Sequence, residues 1–114
     1  MMSDPTPLPE IDVAALAEVH ASGAYVLDVR QPDEYEEAHV PGAVLIPLDQ
    51  LGARIAEVPT DEQLYVVCRS GGRSAAAVEV LIAAGHQATN IAGGTLAWIG
   101  GGHPTVSGPD AGTP

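Results

Sequence analysis

The only cysteine of this chain, Cys68, heads the run Cys68-Arg69-Ser70-Gly71-Gly72-Arg73-Ser74. The apolar stretch 64–67 before it reads as a buried strand, and 73–84 after it as an Ala-rich helix closed by Gly85. A thiol delivered to the end of a strand would thus lie beside the first N–H groups of a helix. Those groups lack intrahelical partners and carry the positive end of the dipole. Gly71 and Gly72 tolerate positive φ, so the loop can curl and aim successive N–H groups inward. Cysteines in such settings have pKa values of about 3.5–7.5, against about 8.5 for a free thiol. The same donors suit a persulfide anion, and Arg69 and Arg73 suit an anionic sulfur donor, most simply thiosulfate. This reading makes Cys68 the catalytic nucleophile and Arg69, Ser70, Gly71, Gly72, Arg73 and Ser74 the substrate-binding loop.

A lone cysteine after a strand also serves commonly as a small apolar packing residue, and a glycine pair there as a tight turn. The coincidence of Cys, two Gly, two Arg and a following helix favours the nucleophile. Phosphate-cradling loops are Gly-rich too, but neither G-x-G-x-x-G nor a P-loop with its Lys is present.

Composition narrows the classes. A chain of 114 residues with 46% hydrophobic content fits one domain with a real core. Phe is absent, so Val, Leu, Ile and Ala do the packing, which suits a parallel sheet covered by helices. A single Cys excludes an internal disulfide. The net charge of -11 and only four Arg, with no Lys, exclude a basic stripe for nucleic acid. The first residues include Asp4, Glu10 and Asp12 and no basic start, unlike a signal peptide. The apolar runs fall short of the ~20 residues a membrane helix needs. A soluble, cytoplasmic protein is therefore expected, with no membrane partner. The four His, at 20, 39, 86 and 103, lack ligand spacing, so neither a metal nor a cofactor is expected.

These residues need elements to position them. Residues 1–9 and 103–114 read as flexible tails around a domain at 10–102. Asp12 caps a helix over 13–21, with Gly23 just past its end. A strand over 25–29, a helical turn over 33–38 and a strand over 43–46 follow. A helix over 48–57 comes next, before the strand that ends at Cys68. After the Ala-rich helix come a strand over 88–91 and a short helix over 95–99. The helix 73–84 is apolar nearly all round, which predicts that it is sandwiched between other layers. Continuous apolar strands separated by helices predict an open parallel α/β sheet, whose ligands bind outside the carboxyl ends of the strands.

The chain resembles the rhodanese-like domain family over most of its length. Asp28-Val29-Arg30, Glu34-Tyr35, His39-Val40-Pro41-Gly42-Ala43 and Ile46-Pro47 resemble its amino-terminal signature. The segment 66–74 resembles its active-site loop. Gly93-Gly94, Trp98, Gly102 and Pro104 resemble its carboxy-terminal signature. The resemblance implies one three-layer domain, a five-stranded parallel sheet with helices on both faces, and Cys68 as persulfide carrier. It implies a sulfurtransferase that moves sulfur from thiosulfate or a similar donor to cyanide or a thiol. Non-catalytic modules of the same fold are an alternative, but they typically lack the Cys. Phosphatases and arsenate reductases of the fold use a loop one residue longer than the Cys-x4-Arg spacing of Cys68 and Arg73.

Five other residues are expected near the site in structural roles. Asp28 and Arg30 end a strand, with Arg30 expected to pair with Glu34 or Glu37 and tie down that loop. His39 belongs to a structural signature and finds no partner for a catalytic dyad. Trp98 is expected to pack beneath the Gly93-Gly94 turn, with a weaker expectation that it walls the pocket.

Overall fold

Backbone hydrogen bonding in the computed structural model, which describes residues 8–112, joins five strands into one parallel sheet in the order β1-β5-β4-β2-β3. The strands are β1 (Glu10–Ile11), β2 (Tyr25–Asp28), β3 (Val44–Leu45), β4 (Gln63–Val67) and β5 (Gln87–Ile91). The helices are α1 (Val13–Ala21), α2 (Pro32–Glu37), α3 (Leu48–Arg54), α4 (Gly72–Ala83) and α5 (Gly94–Gly100). A 3₁₀ turn over Ile55–Glu57 ends the run expected as one helix.

Local chemistry explains most of these boundaries. The Asp12 carboxylate accepts from Ala15 N at 2.9 Å and caps α1. Pro32 starts α2 where a missing N–H costs nothing, and Gln31 and Glu34 close a capping box. The central strands β2 and β4 are covered on both faces, so their side chains alternate between two apolar clusters. Leu27, Leu64 and Val66 face one cluster with Leu51, Ala77, Val78 and Leu81. Val26 and Val67 face the other with Leu16, Tyr35, Ile91 and Trp98. Cys68 continues the parity of Leu64 and Val66, which turns its side chain toward the α3–α4 side of the sheet.

Three expectations need correcting. The helix α4 is not sandwiched. It buries one stripe, Ser74, Ala77, Val78 and Leu81, while Val80 and Ile82 are exposed. Ala is small enough to sit on an outer face, so uniform apolar composition overstated the burial. The two-residue strand β1, too short to show periodicity, adds an edge beside β5 with Glu10 opposite Asn90. Finally, 103–112 is not a free tail. Val106 bridges His39 antiparallel, Gly42 N donates to Ala111 O, and the Trp98 indole donates to Pro104 O at 2.6 Å. Backbone pairing of this kind needs no apolar pattern, so composition did not reveal it. The expected amino-terminal tail lies outside the described residues apart from Leu8, which packs against the core, and Pro9, whose carbonyl accepts from Asn90 N.

Candidate functional site

The strand β4 ends at Val67, and Cys68 follows at the carboxyl edge of the sheet, only 1% exposed. Gly71 adopts φ +112°, a backbone open essentially to glycine, and its N–H donates to Cys68 Sγ at 3.0 Å. Gly72 begins α4 at an ordinary helical φ, so only one glycine of the pair needs its freedom. The Ser74 hydroxyl, one turn into α4, lies 3.3 Å from Sγ. Burial alone would raise the thiol pKa. The Ser74 hydroxyl, when its proton is turned to Sγ, and the amides of Ser74, Gly71 and Ser70 outweigh it and hold Cys68 below the ordinary thiol value.

The loop is held from behind by α5. Thr95 N donates to Cys68 O at 2.9 Å and Leu96 N to Arg69 O at 3.0 Å, so the loop carbonyls turn away from the sulfur while its N–H groups turn toward it. That approach requires Gly94. A Cβ there would sit 2.5 Å from Cys68 O and 2.7 Å from Arg69 O, at a φ of +56°. Gly94→Ala is therefore expected to cost about 2–4 kcal/mol from strain and overpacking. It should also slow alkylation of Cys68. Urea unfolding and the rate with iodoacetamide check both, and an unperturbed loop would show neither change.

The arginines divide by partner. Arg30 grips buried Asp28, with Nη2 2.7 Å from Oδ2, and also donates to the carbonyls of Glu34 and Ala38. It ties down the α2 loop as expected, but through main-chain oxygens, because the Glu34 carboxylate is taken. That carboxylate forms a two-point pair with Arg73 at 2.7 and 2.8 Å, which joins α2 to α4. The expectation that Arg30 pairs with Glu34 or Glu37 is thus replaced by Asp28–Arg30 and Glu34–Arg73. The second pair does not follow from spacing along the chain, since Glu34 and Arg73 meet only through the tertiary fold.

The Arg73 hydrogen bonds lower the Glu34 pKa to about 2 from its ordinary 4.5. A depressed carboxyl pKa contributes stability that is complete above the unfolded value and lost as pH falls through the folded one. The window here runs from about 4.5 down to about 2. Glu34→Gln is expected to cost about 1 kcal/mol at neutral pH, given partial solvent screening, and progressively less as pH falls toward 2. Urea midpoints across that range measure the convergence.

Among the described residues, Arg54 is paired with Glu57 and the Arg69 guanidinium alone has no carboxylate partner. Arg69 lines a cleft of about 160 Å³ with Arg30, Glu34, Thr95, Leu96 and Ile99. Trp98 is absent from this lining. It lies in the second core cluster, edge-on to His20. His39 is fully buried and stacked on Tyr35 at 3.6 Å. One of its ring nitrogens is 2.7 Å from Tyr35 O and the other 3.2 Å from Ala111 O, so both face carbonyl oxygens and neither faces the thiol. Sequence reasoning passed over Asn90. It is 2% exposed, lies next to Ser74, and was visible as a polar side chain in a buried strand. No group of three or more His, Cys, Asp or Glu able to hold a metal occurs among the described residues. No helix among them is long and apolar enough to cross a membrane.

Comparison with known proteins places this geometry in a family. The family model of the rhodanese-like domain matches residues 12–100. The chain is 35% identical over 101 residues to a sulfurtransferase of Allochromatium vinosum, covering 86% of this chain and 94% of that one. It is 35% identical over 96 residues to the putative sulfur carrier protein YrkF of Bacillus subtilis, covering 82% of this chain but spanning only 52% of that protein. In structure it is similar to a rhodanese-related protein of Thermoplasma volcanium, with a TM-score of 0.82 at 35% identity, covering 86% of this chain and 97% of the other. A parallel five-stranded sheet, a thiol at the carboxyl end of its middle strand and a match over 12–100 together establish that this chain belongs to the rhodanese-like domain family.

Proposed function

We propose that this protein is a sulfurtransferase that carries a sulfane sulfur as a persulfide on Cys68. The observation that carries this reading is the reception of Sγ by the Gly71 N–H at 3.0 Å, at the carboxyl end of a buried strand. A sulfur held this way is favoured as an anion, and an anion is what both attacks a donor and leaves toward an acceptor.

The reaction is a double displacement. The Cys68 thiolate attacks the outer sulfur of thiosulfate, an Sγ–S bond forms, and the S–S bond of the donor breaks with its electron pair leaving on sulfite. A cyanide or a thiolate then attacks the outer sulfur, and the pair returns to Sγ. The loop amides of Ser70, Gly71 and Ser74 stabilise the sulfur anion in both halves. Arg69, the cation without a carboxylate partner, is assigned to the anionic donor, because the Arg73 guanidinium is already committed to Glu34. Ser70 and Gly72 shape the mouth of the loop. Asp28, Arg30, Glu34, His39 and Trp98 hold the elements around it.

The test is mass measurement of the intact protein after incubation with thiosulfate. A gain of one sulfur atom that cyanide removes is the expected result. An unchanged mass with an alkylatable Cys68 would sink the proposal.

A further inference from the structure

We propose that Asn90, fixed by Glu10, is a positioning residue that keeps the Ser74 hydroxyl proton away from Cys68 Sγ. The inference rests on the reading of Cys68 as the reacting group.

The Ser74 oxygen has three polar neighbours: Asn90 Oδ1 at 2.5 Å, Gly71 O at 3.2 Å and Cys68 Sγ at 3.3 Å. A serine hydroxyl has one proton to give and two lone pairs with which to accept. The shortest contact joins two oxygens, so it requires that proton unless the Asn90 amide is turned around. The amide is not free to turn. Its nitrogen donates to Glu10 Oε2 at 2.8 Å and to Gly71 O at 3.3 Å, and both partners only accept. Oδ1 must therefore point at Ser74, and it can only accept.

The consequence falls on the sulfur. With its proton on Asn90, the Ser74 hydroxyl meets Sγ through a lone pair. It can accept from the thiol S–H, and it offers a thiolate nothing. Ser74 helps a sulfur anion only by leaving Asn90, so Asn90 and the anion compete for one proton. The competition reaches the surface through β1, where Glu10 is the register partner of Asn90.

The other charges around the loop are Arg69, Arg73 on α4, the Asp28–Arg30 pair at the end of β2, and Glu34 on α2. On α3 stand Asp49 and Arg54, the latter tied to Glu57. The elements β5 and α5 carry no titratable side chain.

Two substitutions in the full chain test the idea from opposite ends. Asn90→Leu removes the nearest competing acceptor and leaves only Gly71 O at 3.2 Å, a neutral carbonyl, against a sulfur anion. Glu10→Lys puts a charged donor where only an acceptor stood; its pull on Asn90 Oδ1 outweighs the longer 3.3 Å contact with Gly71 O and turns the amide so that its NH₂ faces Ser74 and the hydroxyl proton is released toward sulfur. Each is expected to lower the Cys68 pKa by about one unit. The measurement is the pH dependence of alkylation by iodoacetamide, with thiolate absorbance alongside. Each shift should vanish in a Ser74→Ala background, where no hydroxyl proton exists. A shift of equal size in both backgrounds would assign the effect to packing or to the new charge and overturn the proposal. An unchanged or raised pKa would do the same. Glu10 is exposed, so Glu10→Lys decides alone if Asn90→Leu does not fold. Thiol titration involves no sulfur donor. Shifts without thiosulfate uptake would sink the sulfurtransferase reading alone, and uptake without the shifts would sink this one alone.

Discussion

Cys68→Ser is expected to abolish sulfur uptake from thiosulfate completely, with no gain of mass and no transfer to cyanide. The chain has no second thiol to take over, since Cys68 is its single cysteine. A serine hydroxyl, far less acidic than a thiol, would remain neutral in the same cup of donors and form no stable bond to sulfane sulfur. The substitution nearly preserves shape, although the shorter C–O bond draws the oxygen back from the Gly71 N–H and the Ser74 hydroxyl. The stability cost should therefore stay within about 1–2 kcal/mol, typical of a small buried change. Activity and urea unfolding are to be measured on the same preparation. Residual transfer by a folded Cys68→Ser protein would place the reacting group elsewhere and remove the basis of the mechanism.

The largest expected loss of stability comes from Asp28→Ala. Asp28 is fully buried and Arg30 5% exposed, and three hydrogen bonds of 2.7 to 3.1 Å join their side chains. Removing the carboxylate leaves a guanidinium in the interior without a counter-charge, a change that costs about 3–5 kcal/mol. Removing both charges is different. Asp28→Leu combined with Arg30→Met should recover most of that loss, because well-packed apolar groups replace a buried pair nearly neutrally. Urea unfolding of the single and double variants supplies the comparison. A single variant that loses less than about 1 kcal/mol would mean that water reaches Arg30. The pair matters for the site because Arg30 also holds the carbonyls of Glu34 and Ala38, and so sets where α2 presents Glu34 to Arg73.

Much of this arrangement was legible along the chain. Asp12 marked the start of α1 and Gly85 follows the end of α4, because caps and stops are local chemistry. The four longer apolar runs appeared as strands because each is buried on one or both faces and needs the same residue types. The strand β1 stayed hidden, since Glu10 and Ile11 belong to no apolar run and are held by pairing with β5. The fold of 103–112 over His39 and Trp98 stayed hidden for a related reason: its hydrogen bonds run through backbone atoms that every residue shares.

The site divides in the same way. Sequence alone determined that a single thiol stands between a buried strand and a helix, with a loop of Cys-x4-Arg spacing and glycines that let it curl, because strand, turn and helix follow one another within a few residues. Only the tertiary structure decided what each charge near that thiol does. Arg73 met a carboxylate from 39 residues away, while Arg69 has no carboxylate partner among the described residues. Asn90 and Glu10, on strands joined edge to edge, came to hold the hydroxyl of Ser74. Hydrogen bonds and ion pairs depend on distances of about 3 Å between atoms, and such distances between remote residues exist only once the sheet has assembled.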